Sequence, residues 1–315
     1  MNALTTIDHA ATALSSPIGA NPRELFELFF AGRNPRTLAA YQADLEDFRA
    51  FVKAPDLNAA GFELFHRGHG PANGLALSYR AHMVERRLQP ATINRRLAAL
   101  RSFTKLANTV GAIGWELSVE NVKSQKYRDT RGPGRRSFDA MLALSFANDG
   151  AKGVRDTAIL RLLHDMALRR GEVVALDLED LRLDEERLFI LGKGRTEKEP
   201  LTIPAKTKAA LEAWLVIRGM EPGPLFTSLD RAKKGSGRLT GAGVYAIVSK
   251  LGHRVGVKTR PHGLRHLAIT EGLDRTQGDI RAVQRFSRHK DVRVLSAYDD
   301  NREDLGGRVA SLVAD

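Results

Sequence analysis

The apolar residues in the first half of the chain recur at helical spacing in two long segments. In residues 34–52 the apolar side chains lie three or four positions apart, and Pro35 suits the first turn of a helix. Residues 89–107 repeat this pattern through Leu97 and Leu100, while the opposite side carries polar and basic residues. Both patterns predict amphipathic helices. The N-terminal part of the chain is therefore expected to form a helical domain.

The pattern in the second half is mixed. Residues 156–181 begin as a strongly apolar helix that should end close to Arg169. Residues 186–204 alternate short apolar runs around two glycines, which is typical of a β-hairpin, and Lys193 lies at its expected turn. Further helices are predicted over residues 206–219, 240–255, 262–273, 278–287 and 291–299. The predicted architecture is mainly helical, with a small antiparallel sheet in a larger α+β C-terminal domain.

Residues 124–136 join these two parts. They contain five basic residues, no apolar periodicity and the run Gly132, Pro133 and Gly134, a composition that favours a linker. The first twenty residues have neither the basic start nor the apolar stretch of a signal peptide. The expected organisation is a flexible tail over 1–20, a helical domain over 21–123, a basic linker over 124–136 and a second domain over 137–315.

Composition narrows the possible functions. The 315 residues include 49 Lys and Arg against 37 Asp and Glu, a net charge of +12 that favours polyanions such as nucleic acid. There is no cysteine, which excludes thiol chemistry and fits a reducing cytosol. Charges interrupt every apolar run before the ~18 residues of a membrane span. The sequence thus predicts a cytoplasmic protein that does not enter a membrane.

The heptapeptide RPHGLRH, residues 260–266, concentrates cations and proton carriers. If a helix begins near His262, then His262 and Arg265 share one face of it. A guanidinium offers a planar fork of donors that matches phosphate oxygens, and an imidazole exchanges protons near neutral pH. The pair therefore suits a phosphodiester, although a surface helix whose His and Arg meet only water has the same spacing.

Three further residues bear on this chemistry, and two of them admit two interpretations. Arg169 follows an apolar helix, where it could grip a phosphate or form a structural ion pair with Glu172. His289 and Tyr298 flank a predicted turn between two helices. Taken alone, Tyr298 is more typical of a core or interface residue than of a reactive one, because tyrosine commonly buries its ring.

The ordered set of motifs resembles the catalytic motifs of the tyrosine recombinase or phage integrase family. These motifs are ALRRGE (167–172), GKG (192–194), HGLRH (262–266), RH (288–289) and AY (297–298). The segments NPRTLAAYQADLEDF and ATINRRLAALRSF also look like the core-binding domain of that family, which has a SAM-like helical fold. The resemblance covers roughly residues 34–300. It implies that the second domain is the catalytic domain of a site-specific DNA recombinase.

The resemblance implies a role for each matching residue. Tyr298 would be the nucleophile, Arg169 and Arg265 would hold the scissile phosphate, and Glu172 would support the site. The reaction would pass through a 3′-phosphotyrosine and a Holliday junction. Since a tyrosine hydroxyl has an ordinary pKa near 10, it needs nearby cations and a base before it can attack phosphorus.

Lys193, His262 and His289 complete the implied set. Lys193 would protonate the departing 5′-oxygen, while the two histidines would support proton movement and bind a non-bridging oxygen. Positive side chains can stabilise the transition state without a divalent metal. The sequence shows neither metal-ligand spacing nor a GxxxxGK[ST] loop for ATP, so no cofactor is expected.

The implied partner is double-stranded DNA with paired core half-sites, which places the expected protein at the nucleoid. In this family the two domains form a clamp around duplex DNA and assemble as a homotetramer, or together with a related recombinase. The polar face of the 89–107 helix would then contact DNA, with base edges near two arginines and phosphates near other basic groups. The candidate DNA-binding residues are Asn94, Arg95, Arg96, Arg101 and Lys105. Of these, Arg95 and Arg101 are assigned to base edges.

Some features depart from the family pattern or leave alternatives open. The family usually has glycine where this chain has Ala167 and Arg288, and both differences concern backbone turns. No additional arm-binding domain is seen, so a core-site recombinase of the Xer or Cre type is expected. The apolar residues Val309, Leu312 and Val313 could cap their own domain or pack on a neighbouring protomer.

Two other functions are compatible with parts of this pattern. A type IB topoisomerase-like enzyme uses a similar set of Arg, Lys, His and Tyr residues to relax supercoils as a monomer. A non-catalytic DNA-binding regulator could share the fold, but it would have no use for Tyr298. Dependence on a particular sequence and on a second site separates a recombinase from a topoisomerase.

Overall fold

The structure, a computed structural model, divides the chain into two compact units, Met1–Lys126 and Tyr127–Asp315. It describes residues 22–32, 35–66, 68–123, 132–148, 150–192, 194–229, 237–299 and 305–314. The expected tail over 1–20 and most of the expected linker lie outside these residues. In the described part, no helix is both long enough and apolar enough to cross a membrane.

The first unit is helical throughout its described elements. These are α1 (Pro22–Phe30), α2 (Pro35–Val52), α3 (Leu57–Phe65), α4 (His69–Glu85) and α5 (Pro90–Thr109). The predicted helices over 34–52 and 89–107 are confirmed as α2 and α5. Aromatic rings of α1 and α3 pack on Phe103 of α5, with centroid distances of 4.1 Å to Phe26, 5.4 Å to Phe29 and 5.3 Å to Phe65. This aromatic core fixes α5 and thereby its polar face.

The second unit combines helices with one small sheet. Its described helices are α6 (Arg135–Phe146), α7 (Ala151–Asp165), α8 (Arg170–Ala175), α9 (Ala205–Arg218), α10 (Gly241–Arg254), α11 (Pro261–Arg275), α12 (Ile280–Ser287), α13 (Arg293–Asp299) and α14 (Leu305–Ala314). Its strands are β1 (Leu181–Arg182), β2 (Arg187–Leu191) and β3 (Lys198–Thr202). Both strand pairs are antiparallel, in the order β1-β2-β3, so the predicted hairpin and the mainly helical α+β architecture are confirmed.

Helix α7 lies in the middle of the second unit and sets the position of the segment that follows it. Its residues Leu160, Leu162 and Leu163 are fully buried, and each buried leucine contributes about 1.5–3 kcal/mol. The helix ends at Asp165, and the chain then turns through Met166 and on to Arg169. The buried helix α7 therefore fixes the start of the segment that leads to Arg169, the first candidate arginine.

A smaller apolar cluster holds the last part of the domain together. Ile269 and Leu273 of α11 pack with Val283 of α12 and with Leu295 and Tyr298 of α13. These contacts place α13 beside α11 and α12. The segment that carries His262 and Arg265 is thereby brought close to the segment that carries Tyr298.

The C-terminal end of the expected linker contacts α11. Helix α6 begins at Arg135, so the last two residues of the predicted linker are helical. Gly132 has φ +70°, and a Cβ atom on it would lie 2.3 Å from the carbonyl oxygen of Gly263 in α11. Glycine is required at this point, because any side chain would collide with the helix backbone.

Candidate active site

Arg169 and Glu172 form a close pair at the start of α8. The Arg169 backbone N–H donates to Glu172 Oε2 at 2.8 Å, and its Nη1 donates to Oε1 at 2.7 Å. Burial acts to raise the pKa of Glu172, but the Arg169 hydrogen bonds and the charge of Arg288 outweigh it and lower the pKa. The carboxylate is therefore charged and holds Arg169. The structural ion pair that the sequence allowed is present, and about a quarter of the Arg169 side chain, 28%, is still exposed.

Arg265 is buried at the centre of the site. Pro261 begins α11 at its first turn, and Arg265 on the next turn is 1% exposed. Its two terminal nitrogens donate to the carbonyl oxygens of Ala167 and Ser287. Its Nε is buried and has no hydrogen-bond partner among the residues that the structure describes. Burial and the charge of Arg169 lower the pKa of Arg265 to about 9, so the guanidinium stays charged at neutral pH.

His289 follows the end of α12, beside the buried Ser287. Ser287 Oγ lies 2.9 Å from His289 Nδ1, and the side-chain nitrogen of Gln284 donates to the His289 carbonyl oxygen at 3.1 Å. Burial, followed by the charges of Arg265 and Arg169, lowers the pKa of His289 to about 4. A neutral imidazole at this position is able to accept a proton.

Tyr298 lies against histidines on one side and apolar residues on the other. The side chain is 4% exposed, and its ring centroid is 5.1 Å from that of His266, edge to face, and 6.2 Å from that of His289. His262 in turn lies 4.1 Å from His266. Sequence reasoning assigned no role to His266, although its spacing of four residues from His262 places both rings on one helix face.

Ala167 and Arg288 both adopt positive backbone φ angles, +46° and +59°. These are the positions where the family resemblance led us to expect glycine, and a non-glycine residue there costs about 1 kcal/mol or more. The Arg288 side chain is 6% exposed and reaches Glu172 Oε2 at 3.1 Å. The sequence marked Arg288 only as an unusual turn residue, so its contact with the site was missed.

The structure does not place Lys193. Strand β2 ends at Leu191 and β3 begins at Lys198, and these two residues pair across the hairpin. Lys193 follows β2 in the sequence but lies outside the described residues. Its part in the site stays a prediction.

On α5, the candidate DNA-binding residues Asn94 and Arg96 are partly buried and have partners within their own unit. Asn94 exchanges two hydrogen bonds with the Val122 backbone, at 2.8 and 3.1 Å. Arg96 is 15% exposed and donates to Asp47 at 2.7 Å, with Asp44 at 3.8 Å. Both side chains therefore hold α5 against its neighbours in the absence of DNA.

Of the other three candidates on α5, Arg95 and Lys105 are exposed, whereas Arg101 is partly buried. Arg95 is half exposed, at 50%, and pairs with the buried Asp44 at 2.7 Å. Arg101 donates to the Val119 carbonyl oxygen at 2.6 Å, and Lys105 is exposed. The face of α5 is basic, and its arginines are held by carboxylates or carbonyl groups.

A known protein family and several known relatives match this chain. The sequence profile of the phage integrase family matches residues 137–304. The tyrosine recombinase slr0733 of Synechocystis sp. is 39% identical over 306 residues, covering 94% of this chain and 96% of the relative. The tyrosine recombinase XerC of Herpetosiphon aurantiacus is 30% identical over 275 residues, covering 85% of each chain.

Solved structures share the fold at low sequence identity. The XerH site-specific recombinase bound to a palindromic difH substrate has a TM-score of 0.65 at 17% identity, covering 93% of this chain and 85% of that one. A lambda integrase tetramer bound to a Holliday junction also has a TM-score of 0.65, at 13% identity, covering 90% and 78%.

Fold and relatives together define a tyrosine recombinase, an enzyme that cleaves DNA at specific sites and rejoins the strands. The chain belongs to the phage integrase family. The resemblance seen in the sequence motifs is confirmed.

Proposed function

We propose that recombination proceeds by attack of Tyr298 on a phosphodiester held by Arg169 and Arg265. The phenol oxygen forms a bond to phosphorus, the bond from phosphorus to the 5′-oxygen breaks, and that oxygen leaves as a 5′-hydroxyl. The strand is then joined to the enzyme through a 3′-phosphotyrosine. Attack by the 5′-hydroxyl of another strand reverses the step, so the bond is re-formed without ATP.

The observation that supports this proposal is the concentration of positive charge next to a tyrosine. Burial, followed by the positive charges of Arg169 and Arg288, lowers the pKa of Arg265. Glu172 offsets part of this charge. A phosphate bound among the guanidiniums would relieve the repulsion, and the same charges would stabilise the additional negative charge of the transition state.

The surrounding side chains provide routes for the two protons of the reaction. The neutral imidazole of His289, with His262, is suited to assist loss of the phenol proton and to bind a non-bridging oxygen of the phosphate. Lys193, which follows β2, is assigned to protonate the departing 5′-oxygen. Glu172 keeps Arg169 in position.

Assembly on DNA is the second part of the proposal. We assign the exposed face of α5 to contacts with DNA, through the candidates Asn94, Arg95, Arg96, Arg101 and Lys105. Four protomers would pair two sites and exchange strands through a Holliday junction. In α14, Leu312 and Val313 are 76% and 80% exposed, which suits a helix that packs on a neighbouring protomer.

A nicked suicide duplex that carries a cognate site tests the chemistry. Cleavage near the nick releases a short fragment, so a covalent protein–DNA adduct accumulates. The wild-type protein should form this adduct, and Tyr298→Phe should bind the same duplex without forming it. An adduct of wild-type yield with Tyr298→Phe would exclude Tyr298 as the nucleophile.

A further inference from the structure

Arg288 is buried in an unfavourable backbone conformation beside the proposed phosphate site. It follows α12 with φ +59°, and its side chain is 6% exposed. Burying a guanidinium is costly unless its donors are satisfied, and a non-glycine residue at positive φ adds about 1 kcal/mol or more. Both the buried guanidinium and the positive φ of Arg288 destabilise the fold. We therefore expect a function in the contacts of its side chain.

Those contacts bind the turn that precedes Arg169 to the end of α12. Nη1 of Arg288 donates to the carbonyl oxygens of Met166 at 3.2 Å and Phe286 at 3.1 Å. Nη2 donates to the carbonyl oxygen of Ala167 at 3.1 Å and to Glu172 Oε2 at 3.1 Å. A single planar group thus joins segments that are more than a hundred residues apart in the sequence.

Arg288 shares an acceptor with each arginine of the proposed phosphate clamp. Glu172 accepts from Arg169 on both oxygens and from Arg288 on Oε2. The Ala167 carbonyl oxygen accepts from both Arg265 and Arg288. A shift of Arg288 would therefore move an acceptor on which the direction of each clamp guanidinium depends.

We propose that Arg288 is a positioning residue for Arg169 and Arg265, which acts through Glu172 and the Ala167 carbonyl group. This inference rests on the proposed function of the clamp. Arg288 also adds positive charge close to the phosphate, and its Nε lies 3.9 Å from Glu199 of β3. Loss of such a supporting residue typically lowers activity about 10- to 100-fold, because small displacements of catalytic groups are costly.

The test compares Arg288→Gly with Arg288→Lys in the full-length protein on the nicked suicide duplex. Glycine removes the guanidinium and suits the positive φ, so the fold should be retained. At saturating DNA, the single-turnover cleavage rate of Arg288→Gly should fall about 10- to 100-fold while the Kd for the duplex stays close to wild type. Arg288→Lys, which keeps the charge but lacks the planar fork, should recover part of the rate. Arg285→Ala, on the exposed side of α12, controls for the loss of one positive charge and should cleave at the wild-type rate.

A double-mutant cycle with Glu172→Gln identifies the route of the effect. If Arg288 acts partly through Glu172 and partly through the Ala167 carbonyl group, the loss in the double variant should be smaller than the product of the two single losses. Multiplicative losses in the cycle, or a wild-type cleavage rate in Arg288→Gly, would overturn the proposal. So would a fall in thermal stability that accounts for the lost cleavage in both Arg288 variants. Failure of the wild-type protein to form any adduct would instead contradict the proposed function.

Discussion

The guanidinium of Arg265 donates to the carbonyl oxygen of Ala167, a residue 98 positions earlier in the chain. Ala167 presents this oxygen from a backbone with φ +46°. The position of a proposed catalytic arginine therefore depends on a single strained turn. This turn also accepts from Arg288, so its geometry matters for both stability and activity.

Substitution of Ala167 tests the importance of this turn. The residue is fully buried, and a β-branched side chain is very unfavourable at positive φ. Ala167→Val should lower the free energy of unfolding by roughly 2 kcal/mol or more. Ala167→Gly should change it by less than about 1 kcal/mol, because relief of the positive φ offsets the loss of a buried methyl group. Thermal denaturation measures both, and equal effects of the two variants would show that the turn is not constrained.

The depressed pKa of His289 predicts a pH dependence of stability. The unfolded state binds a proton on this histidine below about pH 6.5, whereas in the folded state the pKa is about 4. The unfolded state therefore holds more protons between these values, and stability is lost as the pH falls from about 6.5 to 4. Over this pH range, His289 should lower the free energy of unfolding by about 1 to 2 kcal/mol after allowance for solvent screening.

Comparison with His289→Gln isolates this contribution. Carboxylates titrate in the same window, but their effect is common to both proteins. The wild-type free energy of unfolding should decrease more steeply than that of His289→Gln between pH 6.5 and 4. Parallel curves would mean that His289 has an ordinary pKa in the folded protein.

Gly132 and Gly134 form a matched pair for testing the contact between the linker and α11. Both have positive φ, +70° and +78°, but a Cβ on Gly132 would lie 2.3 Å from the Gly263 carbonyl oxygen, whereas Gly134 has open space. Gly132→Ala should displace the helix that carries His262 and Arg265, and so reduce the rate of adduct formation about 10-fold or more. Gly134→Ala should show only the cost of placing a non-glycine residue at positive φ. Similar cleavage rates in the two variants would argue against the contact.

Two substitutions on α5 distinguish base contacts from phosphate contacts. Lys105→Ala should weaken binding to all duplexes alike and reduce the slope of log K against log salt by about one. Arg101→Ala should instead relax sequence preference at one or two base pairs. Because Arg101 also donates to the Val119 carbonyl group, the thermal stability of the Arg101→Ala variant must be measured in parallel. Unchanged binding by both variants would remove α5 from the proposed DNA interface.

Deletion of residues 307–315 tests the assembly. The deletion removes the exposed Leu312 and Val313. If α14 packs on a neighbouring protomer, the shortened protein should still bind one half-site as a monomer but should lose recombination of paired sites. Gel-shift titration and a two-site recombination assay give these two readouts. Full recombination by the shortened protein would show that α14 is not needed between protomers.

The sequence predicted the elements whose apolar residues are large and regularly spaced. Helices α2, α5 and α11 and the hairpin of β2 and β3 fall where the patterns placed them. Helix α4 was missed because its buried stripe includes Ala72 and Ala76, which contribute little to an apolar pattern. A segment with such a weak apolar pattern forms a helix only when tertiary packing stabilises it.

The site could be anticipated in part. The motifs indicated which residue types belong together, and the structure brings Arg169, Arg265, His289 and Tyr298 into one region. The contacts of Arg288 with Glu172 and Ala167 join residues more than a hundred positions apart, and no local pattern encodes them. The burial of Tyr298 likewise depends on how α13 packs against α11.

The most direct test of the central claim is to identify the residue that becomes joined to DNA. Adduct formed on the suicide duplex can be digested with trypsin and nuclease, and the modified peptide sequenced by mass spectrometry. We expect the peptide of residues 294–302 to carry a 3′-phosphonucleotide on Tyr298. Attachment to any other residue, or through the 5′ side of the break, would contradict the proposed chemistry.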